Sequence, residues 1–115
     1  ELTDRYRANL QGSAVLIPFE HQALNLRPVY HILPVLLPEG ADRVAVMGEL
    51  KKNKIQSSIH YPPFWNFSAY EGQFSPADSP ITAQICVRQL TLPLFPSLTN
   101  SQVDQVTDAL LEAVK

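Results

Sequence analysis

The chain has 115 residues, of which 45% are hydrophobic and 17% charged, and its formal net charge is -2. This length suits one domain with a single core, and the weak negative charge argues against a surface for nucleic acid or anionic membranes. The single cysteine excludes an internal disulfide and gives no indication of secretion, and the size and composition predict a cytoplasmic protein. Because the sequence has no apolar run of about 18 residues, we expect no membrane span.

The first ten residues predict a helix. Leu2, Tyr6 and Leu10 recur every four residues along one face, and Gly12 is suited to end the helix as a C-terminal cap. Because the helical pattern is already under way at residue 1, we expect the chain to be part of a longer polypeptide.

Two strands are predicted next. The apolar run 14–17 predicts a short strand, and a loop over 19–28 separates it from a longer run over 29–37. The longer run is apolar nearly throughout, so we expect both of its faces to be covered. Pro34 cannot donate a backbone hydrogen bond and therefore indicates a bulge or an edge position.

A second helix and a third strand follow. Asp42 is expected to cap a helix that ends near Asn53 and that buries three apolar side chains, Val46, Met47 and Leu50. The run 55–61 predicts a buried strand that ends in His60 and Tyr61. The diproline after them forces the backbone out of a sheet.

An aromatic loop over 62–76 then carries Phe64, Trp65 and Phe67, with one helical turn predicted over 66–70. Loop aromatics of this kind stack on a sugar or base, pin the loop to the body, or pack against a partner domain. We expect these three rings to form an exposed apolar patch that makes dimer or packing contacts.

The C-terminal third predicts two more helices and a strand. Ser79 and Pro80 are suited to begin a helix, in which Ile81 and Ile85 are expected to face inward. A short strand over 90–92 follows. The last helix opens with a capping box at Thr99 and Gln102 and has an apolar stripe of Val103, Val106, Leu110 and Val114.

Three or four short strands with helices between them predict a single α+β two-layer domain over residues 1–115. The expected sheet is small and mostly antiparallel, with helices packed on one face.

His60 and Tyr61 are the strongest candidates for a site, because the two side chains can share a proton or hold a polar ligand at a strand exit. The alternative is a buried histidine satisfied by the backbone, beside a core tyrosine. Since successive strand residues face opposite sides, only one of the two is expected to reach a ligand.

Other polar or reactive residues favour structural roles. His31 is interpreted as a hydrogen-bonded core histidine, His21 as a solvated loop residue, Arg88 as an exposed charge and Cys86 as a small core residue. The three histidines and one cysteine are too far apart in sequence for a zinc motif, and no nucleophile-elbow motif is present. We therefore assign no metal-ligating or catalytic residue.

Four stretches in order resemble the C-terminal small domain of the DegT/DnrJ/StrS family of pyridoxal-phosphate-dependent sugar aminotransferases. They are residues 5–10, the Tyr-His strand at 29–33, the His-Tyr-Pro loop at 55–70 and the Leu-Pro ending at 90–103. Two departures concern subtype. Lys54 stands where members commonly have glycine, and Trp65-Asn66 stands where many have a second histidine.

The resemblance implies a fold like the C-terminal domain of fold-type I transferases, with residues 1–11 ending an interdomain helix. It implies pyridoxal phosphate in the full enzyme, bound through a lysine of a large domain. The four lysines here (Lys51, Lys52, Lys54 and Lys115) match no such motif, so we expect this chain alone to bind no cofactor and to be inactive. The implied partners are the large domain, a nucleotide-sugar, an amino donor and a second subunit, with no nucleic acid or membrane.

By the same resemblance, His60, Tyr61 and Trp65 are the expected substrate-binding residues, and the chain would cover the substrate site. Two other functions stay open at this point. One is a free-standing α+β module whose aromatic loop grips a peptide or small molecule. The other is a small His/Tyr acid-base enzyme.

Overall fold

The computed structural model describes residues 1–19 and 28–115. The helices and strands in this part of the chain are α1 (Leu2–Leu10), β1 (Leu33–Leu36), α2 (Arg43–Lys52), α3 (Pro80–Arg88), β2 (Gln89–Leu92) and α4 (Asn100–Ala113). Three short 3-10 turns precede α3, at Phe64–Asn66, Ser68–Tyr70 and Pro76–Asp78. His21 and the predicted loop between Phe19 and Pro28 lie outside the described residues.

The sheet is antiparallel, with Leu33 of β1 opposite Leu92 of β2 and a continuous register between the strands. The predicted strands at 14–17 and 55–61 are each reduced to one bridge, from Leu16 to β1 and from Ser58 to β2.

The reason is that neighbouring backbone donors are already used. Val15 N–H donates to the Ser13 hydroxyl at 3.2 Å. Ile55 N–H donates to Leu50 O at 2.9 Å, and His60 N–H donates to the Gln89 side chain.

The predicted strand over 29–37 was too long. Val29 and His31 are exposed, so the expectations of covered faces and of a core histidine were wrong there. Tyr30 has a φ of 48°, which is incompatible with extended strand backbone. Pro34 lies opposite Thr91 in the unbroken register. Because Leu37 N–H donates to Arg88 O, alternation turns the Pro34 nitrogen away from β2, which is the predicted edge position.

The core lies between the sheet and three helices, with α4 packed against both α1 and α2. The inward-facing residues predicted for these helices are buried or partly buried, which confirms the α+β class. The buried apolar residues are Tyr6, Leu10, Val15, Leu33, Val35, Leu37, Val46, Leu50, Ile55, Leu90, Leu92, Leu98, Val103, Val106 and Leu110.

The helix ends follow the sequence signals. Asp42 accepts hydrogen bonds from two N–H groups of the first turn of α2. Thr99 and Gln102 form the predicted capping box, in which Thr99 N–H donates to Gln102 Oε1 at 2.9 Å. After α1 the chain makes a type II turn, in which Gly12 has a φ of 74°. Glycine is the residue that adopts this conformation without a steric penalty.

Helix α3 is the part that departs most from prediction. Ser79 stands at the N-cap but makes no capping hydrogen bond. Ile81 and Ile85, predicted to face inward, are exposed, Ile81 at 73%. Cys86 is only partly buried rather than in the core. The helix contacts the 3-10 turn at Pro76–Asp78. Among the described residues, the hydrophobic core and the side chains packed against it include none from α3.

Arg88, predicted to be an exposed charge, instead ties the end of α3 to β1. Its Nε donates to Leu37 O at 2.7 Å, and its side chain pairs with Glu39 at 3.3 Å. Within residues 1–19 and 28–115, every helix is too short or too polar to cross a bilayer. In the same residues, no three His, Cys, Asp or Glu side chains come together as a metal site.

Candidate functional site

His60 sits beside the outer edge of β2, positioned by the bridge that joins Ser58 to Thr91. Its main-chain N–H donates to Gln89 Oε1 at 3.1 Å. Its Nδ1 lies 3.0 Å from Thr91 Oγ1 and 3.3 Å from Ser58 Oγ. Each of these contacts uses the main chain or Nδ1, so Nε2 has no hydrogen-bond partner among the described residues.

Gln89 and Thr91 form the other half of this arrangement, and the sequence analysis missed both. They are 6% and 5% exposed, and Gln89 Nε2 donates to Thr91 Oγ1 at 2.7 Å. The two residues alternate on β2, so their side chains share a face. Two polar residues at alternate positions of a buried strand were the available signal, because buried polar groups require partners.

Tyr61 is not a core residue, since 72% of it is exposed. Its ring contacts the His60 ring edge-to-face, with the centroids 5.1 Å apart. The peptide bond between the two residues is cis. The ring contact shows that the two candidate side chains lie together, with His60 half-buried and Tyr61 exposed to solvent.

Trp65 belongs to an aromatic cluster made of Phe64, Trp65, Tyr70 and Phe74. The Phe64 ring makes edge-to-face contacts with Trp65 and Phe74 at 5.1 Å and with Tyr70 at 5.9 Å. These contacts hold the loop in shape without drawing it into the core. Phe67 is 46% exposed and Phe64 is 36% exposed, whereas Trp65 is half-buried. Two of the three rings predicted to form the apolar patch are therefore exposed, and its dimer or packing contacts stay a prediction.

Two grooves lie on the surface of the domain. One, of about 570 Å³, runs between 53–58, β2 and α4, and its wall includes Ser58 and Thr91. A larger one, of about 750 Å³, lies at the start of α1 and is lined by His31 and the turn at 94–96. None of His60, Tyr61 and Trp65 lines either groove.

Two polar ties hold α1 against this framework. Tyr6 is buried, its hydroxyl donates to Pro93 O at 2.8 Å, and burial raises its pKa. Asp104 on α4 accepts hydrogen bonds from Arg5 and Asn9, which lower the pKa of its carboxyl to about 2. These ties fix the turn after β2 and the position of α4, but they do not touch the candidate residues.

The sequence and the fold were both compared with known proteins. Residues 1–111 match the model of the DegT/DnrJ/EryC1/StrS aminotransferase family. The spore coat polysaccharide biosynthesis protein SpsC of Bacillus subtilis is 32% identical over 122 residues, covering 100% of this chain and 31% of SpsC.

Solved structures share the fold. Spr1654 from Streptococcus pneumoniae, assigned as a sugar aminotransferase and solved with its cofactor in the PMP form, superposes with a TM-score of 0.88 at 26% identity. The match covers 98% of this chain and 29% of that one. Helicobacter pylori PseC, an aminotransferase involved in pseudoaminic acid biosynthesis, matches with a TM-score of 0.84 at 18% identity, over 98% of this chain and 31% of PseC. The chain thus spans less than a third of the length of these relatives.

Proposed function

This chain belongs to the DegT/DnrJ/EryC1/StrS aminotransferase family, and from that membership we propose that it is the C-terminal small domain of a pyridoxal-phosphate-dependent aminotransferase. The proposed substrate is a keto-sugar nucleotide, and the proposed enzyme is a cytoplasmic homodimer. In it this domain covers the substrate site of a large domain, and residues 1–11 end the helix that joins the two.

The observation that carries the proposal is the exposed apolar surface of the loop that follows His60 and of α3. Tyr61 and Phe67 are exposed, and the aromatic cluster holds its loop outside the core. Ile81 and Ile85 of α3 are exposed as well. Apolar surface of this kind is typical of a face that packs against another protein surface. The large domain is the proposed partner, since the relatives are more than three times as long as this chain.

The residues of this chain do not themselves fit the cofactor. A Schiff-base lysine has to be held in an enclosed site with a lowered pKa, whereas all four lysines here are exposed. Lys52 and Lys115 are paired with Glu49 and Glu112. We therefore assign no step of amino transfer to this chain, and the proposed inactivity of the isolated domain follows from that.

The proposed contribution of this chain is to bind and orient the substrate and to exclude water. His60 offers Nε2 as one polar contact, Tyr61 offers a hydroxyl, and Trp65 offers a ring face for a sugar or base. The comparisons favour this function over a free-standing binding module, because the family match extends over residues 1–111. The structure disfavours a small acid-base enzyme, because Tyr61 has no polar partner besides His60 among the described residues.

The test is a transamination assay on the complete polypeptide encoded by the parent gene, with a keto-sugar nucleotide and an amino donor. His60→Ala, Tyr61→Phe and Trp65→Ala are each expected to raise the KM for the sugar nucleotide, by about tenfold where a hydrogen bond to a charged group is lost. Val44→Ala, an exposed change on α2, is the matched control and should leave the KM unchanged. A gene product without a large domain would overturn the proposal.

A second test addresses the surface. In the 115-residue chain, Phe67→Asp should reduce self-association measured by sedimentation, because the charge disrupts an exposed apolar contact. The same change in the complete enzyme should weaken the interdomain contact and lower the unfolding temperature. An unchanged sedimentation profile and an unchanged unfolding temperature would together contradict a docking role for this loop.

A further inference from the structure

The donor and acceptor roles in the hydrogen bonds around His60 can be assigned, beginning with its main-chain N–H group. The His60 N–H can only donate, so the Gln89 atom 3.1 Å from it must be the amide oxygen. The other end of the Gln89 amide is then the NH₂ group, which lies 2.7 Å from Thr91 Oγ1 and donates to it. The orientation of the Gln89 amide is therefore fixed by the backbone.

The orientation of the Gln89 amide in turn determines which group the Thr91 hydroxyl donates to. This hydroxyl accepts the Gln89 hydrogen bond and has one hydrogen of its own to donate. Because Thr91 is 5% exposed, that hydrogen needs an acceptor inside the protein. Among residues 1–19 and 28–115, the acceptor within reach is His60 Nδ1, 3.0 Å away. A hydrogen on Nδ1 would leave the Thr91 hydrogen without a partner.

The Ser58 hydroxyl is compatible with Nδ1 of His60 acting as an acceptor. This hydroxyl lies 3.3 Å from the same Nδ1, and the residue is half-buried, so water can complete its hydrogen bonding. A Ser58 hydroxyl that also donates to Nδ1 favours the same ring form.

We propose that Gln89 and Thr91 are positioning residues that fix His60 in the tautomer with its hydrogen on Nε2. His60 then presents a hydrogen-bond donor to the outside of the domain. Where His60 contacts substrate, which rests on the function proposed above, its partner is an acceptor oxygen, such as a phosphate or a carbonyl oxygen, rather than a donor group.

The tautomer can be read directly by long-range proton–nitrogen NMR of isotope-labelled histidine in the 115-residue chain, at a pH where the rings are neutral. The chain has three histidines, and the exposed His31 provides an internal reference for a ring whose tautomers are set by water. The ratio of the Nε2–H to the Nδ1–H form of His60 is expected to exceed that of His31 by about tenfold, the order of one hydrogen bond. Equal ratios, or a dominant Nδ1–H form, would overturn the proposal.

Three variants separate positioning from a general structural role. Thr91→Val keeps the shape but removes the closer donor to Nδ1, so the His60 ratio should fall toward that of His31, and Thr91→Ser should restore it. Gln89→Glu offers only acceptors, so Thr91 should donate to the new carboxylate and His60 should change to the Nδ1–H form. A His60 ratio that Thr91→Val leaves unchanged would refute the role of Thr91.

The substrate consequence has a separate readout. In the complete enzyme, Thr91→Val should raise the KM for the sugar nucleotide and Thr91→Ser should reverse the increase. If the tautomer changes as expected in the isolated chain while the KM is unaffected, the positioning holds and the proposed substrate contact of His60 is wrong.

Discussion

Lys54 occupies a backbone conformation that suits glycine, and replacing it should stabilise the protein. Helix α2 ends at Lys52, and Lys54, two residues later, has a φ of 60°. Lys54 N–H donates to Lys51 O and Ile55 N–H donates to Leu50 O, both at 2.9 Å. This pair of bonds is the Schellman motif, in which the left-handed residue is usually glycine.

The expected gain follows from two opposing terms. A residue with a Cβ in the left-handed region costs about 1–2 kcal/mol relative to glycine. Glycine in turn increases the entropy of the unfolded chain, which costs about 0.4–1 kcal/mol. The net effect of Lys54→Gly is therefore a gain of about 0.5–1 kcal/mol in the free energy of unfolding. For a domain of this size, that corresponds to a rise of about 2–4 °C in Tm.

The assay is urea and thermal unfolding, followed by circular dichroism. Lys54→Ala serves as the reference for Lys54→Gly, because both variants lose the lysine charge. Going from Lys54→Ala to Lys54→Gly should raise the midpoint. The matched comparison is Lys51→Ala against Lys51→Gly, inside the last turn of α2, where glycine should lower stability by about 1 kcal/mol. If glycine destabilises both positions alike, the left-handed conformation at Lys54 and the reasoning from it are refuted.

Three further predictions concern the ties around α1 and the lysines. Tyr6→Phe removes the hydrogen bond to Pro93 O and should lower the free energy of unfolding by about 1 kcal/mol, measured in urea. Because Arg5 and Asn9 depress the pKa of Asp104 from 3.8 to about 2, its stabilisation is complete above pH 3.8 and is lost as pH falls toward 2. Asp104→Asn should flatten the pH dependence of Tm in that window, and an unchanged profile would contradict the pairing. Incubation of the chain with pyridoxal phosphate and borohydride should leave no single lysine modified, whereas a specific adduct at one of them would contradict the assignment of the cofactor to a large domain.

Local signals in the sequence were sufficient to predict part of this fold. Capping at Asp42 and Thr99, the end of α1 before Gly12 and the helical faces of α1, α2 and α4 were all predicted, because each depends on residues within one or two turns. The family resemblance was also present in the sequence, and the family match over residues 1–111 confirmed it.

Which segments pair and which faces are covered depends on contacts between distant parts of the chain. The predicted strand over 55–61 is reduced to a single bridge, because Ile55 N–H donates to Leu50 O and His60 N–H donates to the Gln89 side chain. Ile85 of α3 carries an ordinary apolar pattern, yet it is exposed, since an amphipathic stripe does not reveal whether its partner lies in the same domain.

His60 could be singled out from sequence because His60 and Tyr61 can share a proton or hold a polar ligand and stand directly before a diproline and an aromatic loop. The residues that orient it could not, since Gln89 and Thr91 are 29 and 31 positions away. Contacts between residues so far apart in the chain cannot be predicted from local sequence patterns. Only the pairing of the 58–60 segment with β2 brings these side chains within hydrogen-bonding distance.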